Sequence, residues 1–326
     1  MKLDKFILLL LLMIVLGYFL PEIGTYLPLD SISTYGIAGI FFFYGLKLSP
    51  SQLKVGLSNW KLHLLVQTTT FLLFPILVLL LYPWMKTEEY FPYWTALFYL
   101  AALPSTVSSS VVMVSIAKGN VPGAIFNASI SGLIGMIATP LWMALFLSGS
   151  HGDMAFGTIF LKLFLQVLFP VLLGLGLHRY GKMWAEKYKN ALRRFDKGII
   201  LMIVYNSFRR SFSEGLFQDI PWSTLLSLGG TVIILFFLVM GISKWFSQRL
   251  GFSLSDQITA QFCGSKKSLV HGTVFSNVLF TGMPYAGLYL VPIMLYHAFQ
   301  LFYVSLLAEK YGQKNSGKEV SSPTKP

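Results

Sequence analysis

The sequence predicts an all-α polytopic membrane protein: ten transmembrane helices forming two five-helix inverted repeats, with helices 4 and 9 broken and crossing. Three observations carry this prediction. Long apolar runs recur from end to end, and of 326 residues 55% are hydrophobic and 12% charged, about half the charge of an ordinary soluble domain. Basic residues gather between alternate runs, as loop charges do when they set topology. Two of the runs are interrupted at corresponding places.

Taken in order, the spans fall at 6–20, 31–47, 60–82, 93–117 (broken), 121–148, 156–178, 196–208, 222–246, 254–280 (broken) and 284–307. The first has the length of a signal-peptide core, but Pro21, Glu22 and Ile23 follow it instead of the small residues of a cleavage site, so it is kept as a span. The seventh is short and runs into Arg209 and Arg210, yet charge supports it. With the N-terminus inside, 19 of the 25 basic residues lie in cytoplasmic segments, against Lys86, Arg209 and Arg210 outside. Removing that span would move Lys244 and Arg249 outside. Both termini are therefore expected in the cytoplasm, and the chain in a plasma (inner) membrane as a multi-pass protein. The net charge of +12 follows from topology and gives no reason to expect nucleic acid as a partner. The basic connection from Arg179 to Lys197 either lies on anionic headgroups or forms a solvated helix. Residues 1–308 are expected to form the transporter domain. Residues 309–326, polar and rich in Lys, Ser, Gly and Pro, are expected to form a disordered cytoplasmic tail. The single cysteine, Cys263, excludes intramolecular disulfides.

Ten spans divide into two fives, and an odd number per half makes the halves enter the membrane in opposite directions. The fourth element of each half is the interrupted one. In LPSTVSSSVVMVSIAKGN, Pro104 removes a backbone N–H and crowds the preceding turn, Ser105 and Thr106 are placed to cap a restart, and Ser108, Ser109 and Ser110 extend the run of hydroxyls. In QFCGSKKSLVHG the break is expected at Cys263 to Ser265, with Gly264 as the permissive residue and Ser265 and Ser268 as caps. A single break would read as a proline kink with serines bonded back to carbonyls. Two matched breaks point to a site between crossing half-helices.

All thirteen acidic residues are assigned to loops, tails or, for Asp256, the mouth of the ninth span, which leaves Lys162, Lys266 and Lys267 as the charges at membrane depth. Lys162 is near enough to an edge to snorkel. A charged lysine near mid-membrane costs about 2.5–3.5 kcal/mol, so Lys266 and Lys267 need an offsetting partner. Helical neighbours point about 100° apart, so one is expected to serve a ligand and the other to reach a carbonyl. Two readings stand: the pair counters an anionic substrate at a helix N-terminus, or an ammonium takes the place of a transported cation as a built-in counter-ion. On the fifth span Asn127 and Ser131 share a face. With Ser109 and Ser110 they offer neutral oxygens to a small hard cation, or else simply bond between helices. Gln67 adds an amide on the third span. No HExxH motif or intramembrane aspartate pair is present, so an enzyme is not expected.

At these residues the chain resembles the bile acid:sodium symporter family, in the orphan branch typified by vertebrate solute carrier family 10 member 7. The pieces that match are LPSTVSSSVVM…AKGN, GAIFNASISGLIG…TP and FCGSKKSLVHG. The resemblance implies a panel of helices 1, 2, 6 and 7, a core of helices 3–5 and 8–10, and substrate between them. It also implies sodium ligands at Ser109, Ser110, Asn127, Ser131 and Gln67. The ninth span departs from the family pattern: where sodium-coupled members have a Glu followed by Gln-Asn-Ser, this chain has Phe262, Cys263, Gly264, Ser265, Lys266, Lys267 and Ser268. The shared acidic sodium ligand is missing and a lysine stands at the glutamine position. The expected function is alternating-access transport of a small organic anion in the lipid bilayer, coupled to Na+, to H+ or to no ion, with no other cofactor. The rival is a non-transporting regulator of ion homeostasis or envelope assembly that keeps the fold and acts through a partner.

Overall fold

The computed structural model describes residues 5–47, 59–106, 108–147, 161, 164–215, 218, 220–280, 283 and 285–320, and the regular structure among them is helical. We label the helices α1 (Lys5–Phe19), α2 (Leu29–Lys47), α3 (Trp60–Leu79), α4 (Phe91–Ala102), α5 (Ser108–Ile116), α6 (Val121–Leu147) and α7 (Phe164–Gly176). There follow α8 (His178–Lys187), α9 (Lys189–Ser213), α10 (Trp222–Arg249), α11 (Leu254–Gly264), α12 (Leu269–Leu279) and α13 (Val291–Val320).

Among the described residues five helices are long and apolar enough to cross a membrane: α2, α3, α6, α10 and the one over Leu288–Gln313. Helix α10 shows why they belong there. Val232, Phe236, Val239, Ser243 and Ser247, spaced three or four apart, are buried against neighbours, while Leu226, Ile234, Phe237 and Leu238 on other faces are exposed and equally apolar. A helix apolar all round has no face for water. Helices α1 and α7 are apolar but shorter.

The helices pack in two groups. Helix α1 lies on α9, while α2 packs on α7, α8 and α9. The first group includes a close helix approach: a Cβ on Gly45 would stand 2.1 Å from Val171 O, and one on Gly174 2.1 Å from Phe42 O, so α2 and α7 meet backbone to backbone. In the second group α10 packs on α11 and α13, α3 on α4 and α11, and α6 on α4, α5 and α11. Helix α9 meets α12 across the joint.

The structure changes several expectations. The second break lies at residues 265–268, because α11 continues through Gly264. Gly264 is helical, not permissive; what its missing side chain allows is the approach of Thr69, whose Cγ2 would be 3.2 Å from an added Cβ. Lys266 and Lys267 therefore sit in the extended link and not on the restarted helix. Asp30 and Asp196, assigned to loops, lie within α2 and α9. The stretch expected to be a disordered tail is helical to Val320, with Tyr311 stacked on Phe262. Lys162 falls outside the described residues.

Candidate functional site

Two prolines create the site by withholding donors. Helix α3 widens over Thr69–Leu73, where the Phe74 N–H reaches back to Thr69 O, and Pro75 has no N–H to offer. The carbonyls of Thr70 and Phe71 are left facing outward. Trp142 Nε1 donates to Phe71 O at 2.9 Å. At the end of α4, Leu103 turns extended (φ −70°, ψ 151°) and Pro104 again brings no N–H. The carbonyls of that last turn need partners from elsewhere. Thr139 Oγ1 donates to Ala102 O at 2.7 Å.

Lys267 takes the rest. Its Nζ donates to Ala101 O at 2.6 Å, Leu103 O at 2.7 Å and Thr70 O at 2.8 Å, and lies 4.1 Å from the Phe74 ring centroid. An ammonium has three N–H bonds, and all three are used. The backbone of Lys267 is clamped by one amide: its N–H donates to Gln300 Oε1 at 2.9 Å, and Gln300 Nε2 donates to its carbonyl at 2.8 Å.

The two breaks are tied reciprocally. Ser268 N–H donates to Pro104 O at 2.9 Å, and Ser105 Oγ donates to Cys263 O at 2.6 Å. Ser268 also caps α12, its Oγ accepting the His271 N–H at 3.3 Å and pairing with His271 Nδ1 at 2.9 Å. Ser265, expected as a cap, instead returns its hydroxyl to Gln261 O at 2.6 Å, while its carbonyl accepts from the Tyr296 hydroxyl. Tyr296 and Gln300 were not singled out from the sequence. A glutamine inside the apolar run LYHAFQLFYV was the available signal, since a buried amide demands partners.

Lys266 is as buried as Lys267 but differently furnished. Its Nζ donates to Ser109 O at 2.9 Å, the one hydrogen bond it makes among the described residues. Beside it Thr106 Oγ1 holds Ser109 Oγ at 2.8 Å and Ser110 Oγ at 2.9 Å. The oxygens expected around sodium are divided among separate groups: this trio, Ser131 Oγ accepting the Ser105 N–H at 3.0 Å, and Asn127 Oδ1 accepting from Gln67 Nε2 at 3.1 Å. Two observations bear on sodium. Gln67 Oε1 is buried and accepts no hydrogen bond, which suits a small cation. The three carbonyls that converge at the end of α4, however, already hold an ammonium. A pair of sodium ions bridged by a carboxylate does not fit these residues, and among the described residues no cluster of three or more His, Cys, Asp or Glu side chains exists.

A cavity of about 450 Å³ opens between the two packing groups. Asp30, Asn206, Ser207 and Arg210 line one side, and Ser276 and Asn277 of α12 the other. Arg210 pairs with Asp30 at 2.5 Å, and Asn206 Nδ2 donates to Asp30 Oδ1 at 3.0 Å. Ser276 Oγ is buried without a hydrogen-bond partner. These residues were missed in the sequence because they look like ordinary polar positions in different spans. Ser276 lies eight residues beyond Ser268, about 12 Å along α12, so the cavity is a short helix length from the crossing.

Comparisons with known proteins show the family. An uncharacterized protein of Pseudomonas aeruginosa is 38% identical over 317 residues, covering 95% of this chain and 93% of its own. Sodium/bile acid cotransporter 7-B of Xenopus laevis is 32% identical over 322 residues, covering 93% of this chain and 90% of its own. Sodium/bile acid cotransporter 7 of Rattus norvegicus is 30% identical over 307 residues, covering 92% and 90%. The model of the SBF-like CPA transporter family matches residues 4–313, and the chain belongs to that family: it is a membrane transporter and not an enzyme.

Proposed function

We propose that the protein moves a small organic anion by alternating access, with the α1, α2, α7 and α9 group acting as a panel against a core of the remaining spans. In this proposal the ten spans form two inverted repeats, and the broken helices cross in the core. The observation that carries the anion is Lys266, a buried lysine whose Nζ makes one hydrogen bond among the described residues, beside three hydroxyls. A buried cation so placed is stabilised by negative charge arriving next to it. The cavity between the groups, with Arg210 in its wall, supplies the route. The cytoplasmic placement of both termini in a plasma (inner) membrane belongs to the same proposal. A co-transported sodium ion would have Gln67 Oε1 to bind, whereas Asn127 Oδ1 and the hydroxyls of Ser109, Ser110 and Ser131 are committed to other hydrogen bonds.

The test is uptake of labelled organic anions, taurocholate and smaller carboxylates among them, into proteoliposomes holding the native chain or Lys266→Met. Loss of one charged hydrogen bond predicts a fall of about 10- to 100-fold in uptake, with thermal stability nearly retained. Uptake by the native chain that Lys266→Met leaves unchanged would remove the residue from the proposal. A native chain that transports none of the anions would favour the regulator, for which the missing ninth-span carboxylate speaks.

A further inference from the structure

We propose that Lys267 is a tethered cation, its ammonium permanently filling a cage of backbone carbonyls, so that the crossing is held together with no ion taken from solution. The oxygens of Thr70, Ala101 and Leu103 surround Nζ at 2.6–2.8 Å, and the Phe74 ring covers another side. They come from two elements about thirty residues apart that the ammonium joins to a third. Rings of carbonyl oxygen are how proteins replace the hydration shell of an alkali cation. The Ala101 oxygen belongs to the last turn of α4, where the helix dipole concentrates negative charge, and the Leu103 oxygen to the extended residue that follows it. Pro75 has no N–H to give Thr70 O in the widened turn, and the chain leaves α4 extended at Leu103, so that the Ser105 N–H, which a continuing helix would bring to Ala101 O, goes to Ser131 Oγ instead. Gln300 then fixes the lysine backbone from both sides, and the side chain is fully buried. The position thus needs a monovalent cation at all times, and the chain supplies one that does not leave.

This inference concerns the ion and not the solute, and it is read without transport. The purified protein is melted in detergent in sodium, potassium or choline chloride at one ionic strength, as the native chain and as Lys267→Ala. With Lys267 in place, and with Gln67→Leu removing the separate sodium oxygen, the midpoint is expected to be the same in all three salts. Lys267→Ala is expected to melt roughly 5–10 °C lower in choline, through the stranded carbonyls, and to regain part of that loss in sodium, potassium or n-propylammonium. Propylammonium restores the deleted atoms, whereas choline is too bulky for the cage. A midpoint raised by sodium over choline in a chain that keeps Lys267 but carries Gln67→Leu, which removes the separate sodium oxygen, overturns the proposal. So does a Lys267→Ala midpoint equal to the native one, or a loss that no small cation repairs, since either assigns the side chain to packing alone.

Discussion

Gln300 shows how much of the crossing depends on single polar side chains. Its amide satisfies the N–H and the carbonyl of Lys267 in a link that has no helix to do so. Gln300→Leu keeps the volume and strands both backbone groups, at about 1–3 kcal/mol each. A lower melting midpoint with unchanged helix content by circular dichroism is the expected result. At this scale the sequence was readable in part. Lys266 and Lys267 stood out because a charge at membrane depth must be offset; the division of labour expected between them assumed helical neighbours, whereas both lie in the link and both reach carbonyls. What offsets Lys267 was not readable, because its partners are backbone carbonyls, which have no signature of their own. Only Pro75 and Pro104 hint that acceptors there lack donors. The sodium ligand set was assembled from residue types alone, and the structure spends several of those oxygens elsewhere: Ser131 on the Ser105 N–H, Asn127 on Gln67.

At the scale of elements, breaks and close approaches decide which helices can meet. The first break was legible because proline acts through its own missing N–H. The second was misplaced by two or three residues, since glycine permits a break without requiring one, and Gly264 turned out to serve contact with Thr69. The α2–α7 contact was not anticipated, although Gly45 and Gly174 are small residues on separate apolar runs. Gly174→Leu places a branched side chain against the α2 backbone, where a Cβ already has only 2.1 Å to Phe42 O. The expected cost is at or above roughly 3 kcal/mol, the upper range for overpacking, because backbone cannot rotate aside as a side chain can. Yield and melting midpoint in detergent check this. Gly176→Leu, whose Cβ meets nothing within 4 Å, is the control and is expected to behave as native.

For the whole molecule, family membership and helical packing give a membrane transporter in which one group of helices lies against another across a polar cavity. Hydropathy was enough to announce the apolar helices. It could not announce the cavity, since Asp30, Asn206, Arg210 and Ser276 are brought together only by the packing of α2, α9 and α12. The central claim is that these groups move relative to each other and so expose the cavity to each side in turn. Spin labels at Thr34→Cys in α2 and Asn277→Cys in α12, in a Cys263→Ser chain reconstituted in bilayers, measure that motion directly by electron–electron resonance. Alternating access predicts two distance populations whose balance shifts when a transported anion is added and is the same in sodium and choline without it. A single distance that no anion shifts, in a reconstituted chain that binds the anion, would contradict the account.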